Sequence, residues 1–136
     1  MDKLNSLSTL QFVKTQTRST ADESGTPSWA PNTDLYACDE GLVIKVELAG
    51  IRREDLELVV ENNRVRISGQ RPDGCRSANC KFLVMEITYG TFETVIELPH
   101  GYDANRATAA YNNGFLRIAV PKEGAIGSRA GGCDSK

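Results

Sequence analysis

The sequence predicts an all-β protein, an antiparallel immunoglobulin-like β-sandwich. Apolar residues alternate with polar or charged ones over several short runs, of which "LVIKVEL" at 42–48 is the clearest. This period of two is typical of a strand with one buried face. Turn signals separate the runs at regular intervals, and no long stretch has the 3.6-residue period of a helix. Several short strands joined by turns favour a β-sandwich.

Each predicted strand is justified by the residues that share one of its faces. These residues are Leu42, Ile44, Val46 and Leu48; Leu56, Leu58 and Val60; Val65 and Ile67; Phe92, Thr94, Ile96 and Leu98; and Leu116, Ile118 and Val120. Asn62-Asn63 and Asn113-Gly114 predict two-residue hairpin turns, because these residue types tolerate a positive φ. Ala107, Ala109 and Tyr111 lead into the second turn. Pro121 ends the last strand because it lacks an amide donor.

Length and composition indicate one domain with two polar arms. The chain has 136 residues, 40% of them hydrophobic, which is enough for one modest core. We expect a flexible N-terminal arm at 1–28, the sandwich at 29–122 and a flexible C-terminal tail at 123–136. The formal net charge of −2 argues against nucleic-acid binding. No apolar run resembles a signal peptide or a membrane span, so a cytoplasmic location is expected.

The sequence offers no catalytic or metal-binding motif, so we predict no enzymatic activity, no cofactor and no metal site. His100 is the only histidine, and it follows a proline in a predicted loop. The four cysteines are spaced irregularly and are interpreted as reduced thiols. A redox pair formed by Cys75 and Cys80 is the alternative for those two residues.

A long connection at 70–88 does not fit a minimal sandwich. Its second part, "KFLVMEIT" at 81–88, has the composition of a strand. If this segment projects from the body, its apolar residues need a partner edge, and a second copy of the chain is the natural one. The alternative is that the segment folds back onto its own sheet. The residues concerned are Phe82, Leu83, Val84 and Met85.

Four motifs in the right order carry a resemblance to a known family. They are Trp29-x-Pro31-x-x-Asp34, "VELAGIRREDLELVVENNRVRISGQR" at 46–71, "YGTFETVIELP" at 89–99 and "AAYNNGFLRIAVPK" at 109–122. Together the motifs resemble the small heat-shock proteins, the α-crystallin domain family, and the long connection is similar to that of its bacterial and plant branch. The resemblance covers residues 29–122.

The resemblance implies an ATP-independent holdase that binds partly unfolded client proteins and prevents their aggregation under stress. It implies self-association, as a dimer through the swapped strand at 82–85, from which a higher oligomer can be built. A client groove is expected at Leu56, Leu58, Thr108 and Ala110, where small residues beside leucines would accept an extended apolar peptide. Further client contacts are expected in the arm at Leu7, Leu10, Phe12 and Val13.

The sequence departs from the family in its tail and at one strand position. The tail has only Ile126, followed by Gly127 and Ser128, where many members have an Ile-x-Ile or Ile-x-Val motif that docks in a neighbour's groove. Thr94 stands where many relatives carry an arginine at the dimer interface, so that contact must be made otherwise. Because the tail motif is missing and the N-terminal arm is short, the alternative function is a co-chaperone or scaffold module of the CS-domain type, which binds one defined partner.

Overall fold

The computed structural model describes residues 29–73 and 79–124, together with the backbone of a two-residue strand in the N-terminal arm. In chain order the strands are β1 Val13–Lys14, β2 Thr33–Cys38, β3 Gly41–Glu47, β4 Leu56–Glu61, β5 Arg64–Arg71, β6 Gly90–Glu97, β7 Thr108–Asn112 and β8 Phe115–Pro121. They form two four-stranded sheets, with the orders β1-β4-β5-β6 and β2-β3-β8-β7. Every pair is antiparallel except β1 with β4. The predicted β-sandwich is confirmed.

Both predicted asparagine hairpins are present. Asn62 has a φ of 56° between β4 and β5, and Asn113 and Gly114 have φ values of 53° and 84° between β7 and β8. Positive φ at the first central residue, or at both, gives a turn whose twist matches that of the flanking strands. These turns fix the register, so that Val60 pairs with Val65 and Asn112 with Phe115.

The core lies between the two sheets and contains the alternating residues that the sequence predicts. Ile44 and Val46 of β3, Ile67 of β5, and Leu116 and Ile118 of β8 are each 0% exposed. Complete burial of such a side chain stabilises a fold by about 1.5–3 kcal/mol. The core therefore holds the two sheets face to face.

Within the described residues, helical structure is limited to two three-residue 3-10 turns, Arg53–Asp55 and Ala104–Arg106. No described helix is long and apolar enough to cross a membrane. The predicted boundaries at 28/29 and 122/123 stay a prediction. Leu7, Leu10 and Phe12 lie outside the described residues.

Candidate functional site

The connection between β5 and β6 exposes a cluster of apolar side chains. Residues 79–89 form no strand, so they extend neither sheet of their own molecule. The alternative in which "KFLVMEIT" folds back onto its own sheet is therefore wrong for this conformation. The exposed fractions are 44% for Phe82, 89% for Leu83, 72% for Val84, 54% for Met85 and 60% for Ile87.

β2 is an edge strand that leaves one side of the sandwich open. Among the described strands it pairs only with β3. Leu35 is in register with the buried Ile44, so its side chain is on the core side of the sheet, yet it is 41% exposed. Tyr36, on the opposite face, is 40% exposed. The strand thus offers backbone groups and apolar surface to an added strand.

The two ends of the 72–89 connection meet at Arg71. This residue ends β5 and is in register with Gly90, the first residue of β6. Its Nε and Nη2 atoms both donate to the carbonyl oxygen of Thr88, at 3.0 and 2.8 Å, and Nη1 donates to that of Ala49 at 3.1 Å. One guanidinium group therefore joins the end of the connection to the turn after β3.

Aromatic rings enclose the same guanidinium group. Its Cζ atom is 4.5 Å from the ring centroid of Trp29 and 5.9 Å from that of Tyr89, distances at which a cation is attracted to the ring. The Trp29 Nε1 atom donates to the Gly90 carbonyl oxygen at 3.1 Å. We call Trp29, Ala49, Arg71, Thr88 and Tyr89 the Arg71 cluster.

The four residues expected in the client groove do not share one open face. Leu58 is 6% exposed in the core, and Leu56 packs against that core from a partly buried position. On β7 it is Ala109 that belongs to the core. Since side chains alternate along a strand, Thr108 and Ala110 lie on the outer face of their sheet. Client binding by these four residues stays a prediction.

The N-terminal arm contacts the edge of β4. β1 pairs with it in parallel, with Val13 opposite Val59 and Lys14 opposite Val60. Val13 is one of the predicted client-contact residues, and its backbone occupies the strand edge that a client would need for strand addition.

Tyr111 on β7 is a further residue with a structural role that no sequence motif predicted. Its hydroxyl group donates to the Leu48 carbonyl oxygen and lies 3.5 Å from the Ile51 amide nitrogen. Tyr111 therefore joins β7 to the segment between β3 and β4. Arg71 was likewise not predicted, since an arginine at a strand end is usually solvated.

The described residues contain no cluster of His, Cys, Asp or Glu that could hold a metal ion. His100 is exposed in a turn. Cys38, at the end of β2, is disulfide-bonded, so the expectation of four reduced thiols is wrong for this residue. Cys80 is exposed, whereas Cys75 lies outside the described residues.

The two sheets and the exposed apolar segment between β5 and β6 define the class of the protein, which is an α-crystallin-type β-sandwich. The chain belongs to the Hsp20/alpha crystallin family, which matches residues 34–130. The resemblance drawn from the four sequence motifs is therefore confirmed. Family membership supports a chaperone role.

Three known proteins illustrate the similarity in sequence and in structure. Small heat shock protein C2 of Rickettsia felis is 32% identical over 93 residues, which cover 68% of this chain and 60% of that protein. The crystal structure of hspA from Xanthomonas axonopodis has a TM-score of 0.66 and 30% identity, and covers 73% of this chain and 99% of that one. The small heat-shock protein from Xylella fastidiosa, described as having a distinct high order structure, has a TM-score of 0.64 and 30% identity, with coverages of 75% and 94%.

The matched region spans about 60% of the length of the first bacterial relatives. The similarity is thus concentrated in the sandwich domain.

Proposed function

We propose that this protein is an ATP-independent holdase chaperone, which binds partly unfolded proteins and keeps them from aggregating under stress. The exposed apolar segment at 82–87 is the observation that best supports this function. An exposed apolar segment of this kind commonly marks a surface that binds other protein chains. Membership of the small heat-shock protein family supports the same conclusion.

The proposed active unit is a dimer formed by strand exchange. The 82–87 segment of one copy would add to the open edge of β2 in the other and cover Leu35, which now faces the core side without being buried. Backbone pairing along the edge would supply affinity, and alternate side chains would supply specificity. Twofold symmetry makes the exchange reciprocal, and higher oligomers built from such dimers remain part of the proposal.

Client contacts are proposed in the arm at Leu7, Leu10, Phe12 and Val13 and along the edge of β4. Non-native proteins expose short apolar segments, and several weak sites acting together retain them far better than one site. No chemical step is required, so the proposal includes no enzymatic activity and no cofactor. The expected cytoplasmic location stays a prediction.

The test measures light scattering from a heat-unfolded client protein with increasing amounts of this protein and no ATP. We expect suppression of scattering at about equimolar subunit ratios, since each client molecule needs several weak contacts. Leu10→Ser combined with Phe12→Ser should lower the suppression, whereas the control Thr9→Ser with Gln11→Ser, in the same segment, should preserve it. Unchanged scattering across a wide range of ratios would contradict the holdase function.

The co-chaperone alternative makes a different prediction for mass in solution. A module that binds one defined partner should remain a monomer or a dimer, whereas a holdase of this family is expected to form larger, heterogeneous assemblies. Light scattering coupled to gel filtration separates the two: a multimer with a broad mass distribution counts against the co-chaperone.

A further inference from the structure

We propose that Arg71 is a positioning residue for self-association, which fixes the base of the 72–89 connection so that its apolar segment is presented to a second copy of the chain. This inference rests on the proposed strand-exchange dimer. In this proposal Arg71 does not contact the second copy of the chain. It acts through the carbonyl oxygens to which it donates hydrogen bonds.

The first argument is the placement of the hydrogen bonds. Two of the three Arg71 bonds go to Thr88, which is one residue beyond the exposed apolar segment. The third goes to Ala49, in the turn that follows β3. The C-terminal end of the connection, at Thr88, is therefore attached to the sandwich by these side-chain bonds as well as by the β5–β6 ladder.

The second argument is that the guanidinium group is itself held in place. Trp29 lies against its face, and the indole Nε1 atom donates to the Gly90 carbonyl oxygen. The Trp29 ring also packs at 5.3 Å from that of Phe92, which is 1% exposed. The C-terminal end of the connection is thus linked to the buried core through Arg71 and Trp29.

The consequence concerns the entropy of association. A connection of this length loses conformational freedom when part of it becomes a strand in a partner. If the C-terminal end of the connection is already ordered, association costs less conformational entropy, and the dimer is more stable. The Arg71 cluster would therefore strengthen dimerisation without contributing to the interface.

Arg71→Lys is the decisive variant because it keeps the charge. A lysine ammonium group cannot make the planar fork of bonds to two carbonyl oxygens while stacking on an indole ring. We expect the dissociation constant of the Arg71→Lys dimer, measured by analytical ultracentrifugation, to rise about 10- to 100-fold. The matched control is Arg64→Lys at the other end of β5, where Arg64 bonds the exposed Glu97 at 2.9 Å; it should bind within about twofold of the parent protein.

Hydrogen–deuterium exchange separates positioning from general stability. In Arg71→Lys, amides at 82–90 should exchange faster, while those of β3 and β8 should keep the rates of the parent protein. Faster exchange throughout both sheets would overturn the positioning role, because Arg71 would then act on the stability of the whole domain.

A third variant distinguishes failure of this inference from failure of the dimer that it assumes. Leu83→Asp with Val84→Asp places two charges in the exchanged segment and should abolish dimerisation. If this variant is monomeric while Arg71→Lys dimerises like the parent protein, the role of Arg71 is refuted and the dimer stands. If the variant remains a dimer of normal affinity, the strand-exchange dimer is refuted, and the inference about Arg71 with it.

Discussion

At the residue scale, Gly69 shows how closely two segments approach inside this sandwich. A Cβ atom at this position would overlap the Asp55 carbonyl oxygen and would lie 2.9 Å from Cζ of Phe92. Both approaches are closer than a van der Waals contact allows, and the first neighbour is backbone. Gly69→Ala must therefore displace the 3-10 turn before β4 or the Phe92 ring.

We predict that Gly69→Ala lowers the free energy of unfolding by about 1–3 kcal/mol, as overpacking of a core commonly does. Urea denaturation followed by circular dichroism measures the change. Ser68→Ala, on the outer face of the same strand, is the matched control and should change stability by less than about 0.5 kcal/mol. Equal effects of the two substitutions would contradict the close approach at Gly69.

Single residues also show which predictions followed from the sequence pattern and which followed from family resemblance. The period of two correctly predicted that Leu42, Ile44 and Leu116 are buried. The groove residues came instead from family resemblance. On β7 the core residue is Ala109, so the expected groove residues Thr108 and Ala110 lie on the opposite face of that strand. Burial alone does not test peptide binding, so the client groove stays a prediction.

At the element scale, β1 connects the arm to the proposed client-binding edge. A two-residue parallel ladder provides few hydrogen bonds, so its pairing with β4 is weak by itself. The arm is nevertheless covalently attached, which gives it an effective concentration in the millimolar range. A free peptide must compete against that concentration for the same edge.

We predict that deletion of residues 1–14 opens the β4 edge to peptides in solution. A fluorescent synthetic peptide with the sequence of residues 7–16 should bind the truncated protein at least about tenfold more tightly than the full chain. Fluorescence anisotropy measures both affinities. The deletion also removes the proposed client-contact residues of the arm. Direct measurement of peptide affinity is therefore more informative here than an assay of client aggregation.

A control variant locates the peptide. Lys14 lies opposite Val60 in the β1–β4 ladder. Hydrogen-bonded pairs alternate along an antiparallel ladder, and Glu61 with Arg64 forms such a pair beside the turn, so the Val60 amide points away from β5 and towards the arm. Val60→Pro removes this donor from the β4 edge, and Ala110→Ser on β7 of the other sheet is the control. Loss of binding with Val60→Pro but not with Ala110→Ser supports the β4 edge; binding that neither substitution affects would contradict it.

β2 is the element that the sequence did not reveal. Its six residues follow no alternation of buried and exposed positions, since the middle four are all exposed. The usual signal of a half-buried strand is absent because one of its edges and part of its core-side face are uncovered. In the proposed dimer the partner strand supplies that cover, so the missing sequence pattern has a structural explanation.

At the scale of the whole molecule, the sequence predicted the two-sheet architecture because hairpin turns and alternation are local signals. Asn113-Gly114 and the residues around it suffice to define the β7–β8 hairpin. The Arg71 cluster could not be predicted in the same way. It joins residues as far apart as Trp29, Ala49 and Thr88, and only the three-dimensional fold brings them together.

The proposed dimer also predicts how stability depends on concentration. When folded chains associate through strand exchange and unfolded chains do not, mass action raises the melting temperature with protein concentration. For a dimer of this size we expect an increase of about 3–5 °C for each tenfold rise in concentration.

In Leu83→Asp with Val84→Asp the melting temperature should no longer depend on concentration. Asn79→Asp with Asn112→Asp adds the same two charges at exposed positions outside the apolar segment, and it should keep the dependence of the parent protein. Scanning calorimetry over a hundredfold range of concentration decides the matter: a parent protein whose melting temperature is constant over that range does not unfold from a strand-exchanged dimer.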